Sequence, residues 1–231
     1  MRKLLAAVAL AAIAVPAAAR PAAPAPFAAS RAEVQRLVDL LLPDAAMTDL
    51  ALRAFNHGIE QGTVGDAQVK AYFAQYPGLK DHVAVALRPE MRKIMKRELP
   101  LLRREIGAVI VAELTPDEIV ATETFFASPT GQKVYASALQ SMGDRPDRDE
   151  AEVRDAAMSA VMSSLAPGDY PALIAFGASS AANKMNTVNP RIAAASKAWA
   201  DRLVKKNGPR MNKLARKAAT KFVKSQKKSA R

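Results

Sequence analysis

Apolar side chains recur at helical spacing along most of this 231-residue chain, and this periodicity constrains the fold more than any other feature. Residues three and four positions apart share one side of an α-helix, whereas a strand brings every second residue to one side. No stretch alternates as a strand would, and the apolar residues are mainly Ala, Leu and Val. We therefore predict an all-α fold. The longest amphipathic stretch carries Met91, Ile94, Met95, Leu99, Leu102, Ile106, Ile110 and Val111.

The start and stop signals divide the chain into about six to eight helices, which we assign to a single domain over residues 30–187. Ser30 and Glu33 have the spacing of a capping box at the start of the first helix. Thr48 is predicted to cap the second helix. Pro100 is predicted to kink or end the long amphipathic stretch, because proline removes one N–H and crowds the preceding turn.

The clearest helix start lies between Thr115 and Glu118. Thr115 suits the N-cap, proline suits the first helical position, and the two acids that follow complement the helix dipole. The helix extends through Phe125-Phe126, and Ser128-Pro129 begins another helix by the same logic.

The string from Leu114 to Ile119, followed by the string from Phe125 to Lys133, resembles the exported bacterial domain-of-unknown-function family numbered 2059. Members of that family show a "T-x-E-E-L … F-Y-x-S-P-x-G-K-K" pattern after an amphipathic helix. The resemblance covers roughly residues 89–142, with Phe126 in place of the usual Tyr and Gln132 in place of the usual Lys. It implies an exported helical domain and no particular activity, because none is established for the family.

The N-terminus has the pattern of an export signal. A positive start at Met1–Lys3 precedes an uncharged apolar run, and Ala17-Ala18-Ala19 offers a small-residue cleavage site. The pattern predicts a signal peptide over residues 1–19 that is cleaved near Ala19. The apolar run is shorter than the roughly 18 residues that a membrane span needs. Residues 20–29, rich in Ala and Pro, predict a disordered leader, and the mature protein is predicted to be periplasmic or secreted.

Few side chains point to chemistry. The absence of cysteine excludes disulfides, thiolate catalysis and zinc–thiolate sites. His57 and His82 belong to no metal-binding motif, and the acidic cluster at 147–155 lacks the glycine and glutamate of a calcium loop. We assign no catalytic residue, metal site or cofactor. An envelope enzyme with a carboxylate-based site stays an alternative, because an acid pair could occur among Glu98, Glu105, Glu113 and Glu118.

Positive charge is concentrated at the C-terminus. Residues 191–231 carry fourteen Lys or Arg and one acid, a net +13, whereas residues 1–190 carry twenty bases and twenty-one acids, a net −1. Asn186–Pro190 is predicted to separate the domain from a basic helical arm over residues 191–231, and Asn207–Pro209 is predicted to break that arm. Charge of this kind indicates affinity for polyanions.

Each segment of the arm is predicted to be an amphipathic helix with basic and apolar sides. Such a helix can bind anionic lipid, lipopolysaccharide or another polyanion. Trp199 and Phe222 are the predicted apolar anchors. The predicted polyanion-binding residues are Lys205, Lys206, Arg210, Lys213, Arg216, Lys217, Lys221 and Lys224.

Other interpretations of the arm and the body stay open. The first arm helix can pack on the body and leave the rest as a solvated tail. A lysine-rich arm can also neutralise nucleic-acid phosphates, although export argues against such a partner. The helical body can bind a protein partner through its grooves. Among these we predict a non-enzymatic exported accessory protein of unknown process.

Overall fold

The computed structural model describes residues 31–64, 71, 73–144 and 150–229, and this part of the chain is all-α, as predicted. The predicted signal peptide, leader and Ser30 cap lie outside it. The described elements are α1 (Arg31–Leu41), α2 (Asp44–Val64), α3 (Leu79–Glu113), α4 (Pro116–Ala127), α5 (Pro129–Asp144), α6 (Glu150–Ser164), a 3₁₀ turn (Pro167–Asp169), α7 (Tyr170–Gly177) and α8 (Ser180–Ser229).

Two long helices, α3 and α8, form the centre of the fold. They run antiparallel, because Glu113 at the end of α3 pairs with Arg191, whereas His82 at its start contacts Phe222. The 35 residues of α3 span about 52 Å at 1.5 Å per residue. The 50 residues of α8 extend beyond that length. The amphipathic stretch predicted from the sequence therefore supplies the central contact.

The shorter helices pack around this pair. α1 contacts α3 and α4, α2 contacts α3 and α5, α5 pairs with α6, and α7 contacts α4 and α8. One apolar core runs from α1 to α8, with Leu37, Leu102 and Ile192 almost fully buried in it.

Both long helices continue through their prolines. Pro100 lies inside α3, so the prediction that a helix could end at this proline is wrong. Pro190 and Pro209 lie inside α8, so the predicted breaks at Asn186–Pro190 and Asn207–Pro209 are also wrong. The predicted boundary between a domain over 30–187 and an arm over 191–231 therefore falls within one uninterrupted helix, α8.

The packing of α8 explains this continuity. Leu203, Asn207 and Met211 are buried at regular four-residue steps across the predicted break. Pro209 is exposed, so water can satisfy the carbonyl that loses its helical partner. Gly208 has no Cβ to clash with the proline ring, the clash that normally disfavours helix before proline. Tertiary contacts along the helix outweigh the remaining free-energy cost of a proline inside it.

The predicted cap at Thr48 is also wrong, because α2 begins four residues earlier, at Asp44. The acid in its first turn complements the helix dipole. Met47 donates its backbone N–H to the Pro43 carbonyl at 2.9 Å, so helical hydrogen bonding is established before Thr48 is reached.

The start of α4 is as predicted. Thr115 Oγ1 accepts the Glu118 N–H at 3.3 Å, and Glu118 Oε2 accepts the Thr115 N–H at 2.9 Å, which completes a capping box. At the next corner Ser128 Oγ accepts the Gly131 N–H at 3.1 Å. A Cβ at Gly131 would lie 1.9 Å from the Phe125 carbonyl oxygen, so this tight corner requires glycine.

Candidate functional site

Glutamates of α3 pair with cations of α8 along the length of the central helix pair. Arg210 Nε lies 2.9 Å from Glu90, and Lys206 Nζ donates to Glu98 at 2.8 Å. The other two pairs are Arg202 with Glu105 and Arg191 with Glu113. The glutamates are seven or eight residues apart, so they return to the same side of α3 every two turns. These ion pairs connect α8 to α3.

Glu98 makes the most contacts of the four glutamates. Its side chain is buried and also accepts a hydrogen bond from Arg97 Nε at 2.7 Å. The hydrogen bond from Lys206 lowers the pKa of Glu98 below its ordinary value; burial opposes this effect and the bond from Arg97 adds to it. Glu98 is therefore held as a carboxylate, which suits an ion pair and not a general acid at neutral pH.

The predicted apolar anchors lie within the packed structure. Trp199 is 5% exposed, and its indole N–H donates to the Glu98 carbonyl at 3.1 Å. Phe222 is half-buried, with its ring centroid 5.1 Å from that of His82. The apolar side of α8 thus packs against the other helices. An anchoring role for Trp199 would require α8 to leave α3.

The structure divides the predicted polyanion-binding residues into two groups. Lys206 and Arg210 are exposed but already paired with glutamates. The other six are exposed and form no ion pair with any residue in the described ranges, and Lys227 and Lys228 share this property. We call these eight residues the free-cation surface: Lys205, Lys213, Arg216, Lys217, Lys221, Lys224, Lys227 and Lys228.

The sequence contains a signal for the two lysines that the prediction omitted. No acidic residue follows Asp201, so no cation beyond Lys205 has an acid three or four residues away on its own helix. Among the described residues, no acid of α3 on the N-terminal side of Glu90 forms an ion pair with α8. The unpaired charge therefore continues to the end of α8.

The residues considered for chemistry have structural roles. Glu98, Glu105 and Glu113 are in ion pairs, and Glu118 completes the capping box of α4. His82 stacks in a tilted arrangement on Phe222. In the described ranges no three His, Cys, Asp or Glu side chains form a group that could hold a metal ion. The helices within those ranges also include none that is long and apolar enough to cross a membrane.

A further buried carboxylate connects the α4–α5 corner to the 3₁₀ turn. Asp169 accepts hydrogen bonds from Lys133 Nζ at 2.8 Å, from the Ala166 N–H at 2.9 Å and from Thr130 Oγ1 at 2.9 Å. The bond from Lys133, with those from Ala166 and Thr130, lowers the pKa of Asp169 to about 2. Thr130 and Lys133 belong to the string that resembles the family numbered 2059, so this part of the string stabilises the corner.

No protein-family model matches the chain, and no curated protein or solved structure gives a match. The resemblance to the family numbered 2059 therefore stays a prediction from the string itself.

Proposed function

We propose that this chain is a non-enzymatic helical accessory protein of the cell envelope that binds an anionic surface through the free-cation surface of α8. The observation that carries this proposal is a row of eight exposed cations without ion-pair partners in the described structure. Anionic phospholipid or lipopolysaccharide is the polyanion that an exported protein would meet.

The length of the row favours an extended partner over a small anion. Residues 205–228 span about 35 Å of helix, several times the Debye length of about 8 Å at physiological salt. One small anion would therefore interact with only a part of the row. Each cation near an anionic membrane contributes about 1 kcal/mol, so several acting together give useful affinity that salt weakens.

The mode of binding differs from the amphipathic insertion that the sequence predicts. The apolar side of α8 contacts α3, and Trp199 is in the core. We propose that the packed helix adsorbs through its lysines without inserting into the lipid. Trp199 emission should then stay nearly unchanged when the protein binds vesicles, whereas insertion would shift it.

The test is co-flotation of the purified protein with vesicles at low and high salt. Vesicles of phosphatidylglycerol mixed with phosphatidylcholine are compared with vesicles of phosphatidylcholine alone. The test variant changes Lys213, Lys217, Lys221 and Lys224 to Gln. Its matched control removes the same charge from exposed cations of α3 that form no ion pair with a described residue, by changing Arg88, Arg92, Lys93 and Lys96 to Gln.

The proposal predicts salt-sensitive binding to the anionic vesicles only. The α8 variant should bind at least tenfold more weakly, and the α3 variant should stay within about threefold of the original protein. Equal losses in the two variants would show that net charge, not this surface, carries the binding. Tighter binding to duplex DNA than to the vesicles at the same salt would contradict the choice of partner.

A further inference from the structure

An apolar groove lies where α2, α3 and α8 meet. It is open to solvent and holds about 700 Å³ of space, part of which is that solvent. Its lining includes three methionines, Met91, Met95 and Met211. Methionine is flexible and polarisable, so such a lining can adapt to ligands of different shape.

Small residues create the groove. Ala54 and Gly58 of α2 face Gly208 of α8 across it. A Cβ at Gly208 would meet no other heavy atom within 4 Å, so the helix leaves space there. Gly208, which the sequence suggests as part of a helix break, thus forms part of the wall of the groove.

The polar groups of the groove are few and lie in two places. Of the described lining residues only Asn207 and Asn212 carry polar side chains. The Asn207 amide already accepts a hydrogen bond from Arg97 and donates one to the Leu203 carbonyl. Asn212 is exposed and makes no hydrogen bond with another described side chain. The interior is therefore suited to hydrocarbon, and polar contacts are concentrated at the rim.

Two members of the free-cation surface flank that rim. At 100° per residue, Lys205 and Arg216 lie within about 40° of Asn212 around the axis of α8. Both are exposed and without an ion-pair partner in the described structure. The two are eleven residues apart, about 16 Å along the axis, so a ligand with its apolar part in the groove would place a terminal anion near one of them.

We propose that the groove binds the alkyl chain of a single-chain anionic amphiphile, with a fatty acid as the simplest member, and that its carboxylate binds whichever of Lys205 and Arg216 lies at the end where the chain leaves the groove. This inference goes beyond the proposed function, because it rests on the groove and shares only these two cations with the free-cation surface. Each methylene that enters the groove should raise the affinity about fourfold until the groove is filled.

The test measures displacement of a fluorescent fatty acid, 11-(dansylamino)undecanoic acid, from the protein. The competitors are octanoate, decanoate, dodecanoate and dodecanol, each used below the concentration at which it aggregates. The blocking variant is Gly208→Leu, which places a side chain in the empty space. The blocking variant and its control are both made in the Pro209→Ala protein, because a Cβ at residue 208 would otherwise crowd the ring of Pro209. Leucine is favoured over glycine inside a helix, so the blocked protein should then fold. Ala194→Leu, at an exposed position of the same helix, is the matched control.

We expect affinity to rise from octanoate to dodecanoate, and dodecanoate to displace the probe better than dodecanol. Gly208→Leu should weaken dodecanoate binding at least tenfold, whereas Ala194→Leu should leave it unchanged. Changing Lys205 and Arg216 together to Gln should remove the preference for the acid over the alcohol. An original protein that does not bind the probe, or a Gly208→Leu protein that binds like it, would overturn the proposal.

The two proposals can fail separately. Gly208→Leu leaves all eight cations of the free-cation surface in place, so its binding to anionic vesicles should be unchanged. The lysine variant of the vesicle assay leaves the groove lining intact, so it should still bind dodecanoate. Failure of dodecanoate binding alone would leave the proposal for the anionic surface standing.

Discussion

The two parts of α8, here called its first half (180–210) and its second half (211–229), carry seven cations each but have different surroundings. In the first half, up to Arg210, cations pair with four glutamates of α3, and Trp199 and Leu203 are buried. In the second half, from Met211 onward, fewer side chains are buried and the cations have no described ion-pair partner. The comparison shows that the partner helix, and not the composition of α8, decides which cations are structural.

The largest expected difference concerns the core contacts of the two halves. Trp199→Ala should lower the free energy of unfolding by about 3–5 kcal/mol, because it removes a large buried ring. Phe222→Ala should cost less than half as much, because that ring is only half-buried. Urea unfolding followed by circular dichroism measures both. Equal costs would mean that the two halves are docked equally firmly.

The junction of the two halves can be tested with its proline. Pro209→Ala should stabilise the protein by about 1–3 kcal/mol, because it restores an N–H and removes the steric conflict inside the helix. Thermal unfolding gives the measurement, and Pro190→Ala provides a second exposed proline of the same helix for comparison. A loss of stability at Pro209 would mean that α8 needs a bend at this point.

The ion pairs of the first half are tested at Glu98. Glu98→Gln should cost about 1–2 kcal/mol at pH 7, since Lys206 and Arg97 lose their carboxylate. The folded protein lowers the pKa of Glu98, so its contribution is complete above the ordinary value of 4.5 and is lost as the pH falls through the lowered value. The difference in the free energy of unfolding between the original protein and the variant should therefore disappear on acidification below about pH 4.5. A difference that is constant from pH 7 to pH 3 would contradict this role.

The smallest expected effect on stability concerns the second half. Lys217→Glu and Lys221→Glu should each change the free energy of unfolding by less than about 0.5 kcal/mol, because neither lysine has a described ion-pair partner. The same changes should weaken binding to anionic vesicles. Destabilisation comparable to that of Glu98→Gln would show that these lysines hold the fold together.

Local signals were predicted from the sequence more successfully than distant contacts. The capping box of Thr115 and Glu118 was predictable because its atoms lie three residues apart. The role of Lys206 was not, because Glu98 is 108 residues away. The continuity of α8 through Gly208-Pro209 depends on packing against α3, which no local rule contains. The groove was missed for the same reason, because three distant helices form it.

The pairing of α3 with α8 also determines when this protein can fold during synthesis. Trp199 contacts Glu98 across 101 residues of chain, so the apolar side of α3 is not fully covered until α8 has been synthesised. A nascent chain that ends at residue 190 lacks Ile192, Trp199 and Leu203 and leaves the core without one wall. α8 is thus the element that completes the core, and the helices before it cannot become fully compact until it has been synthesised.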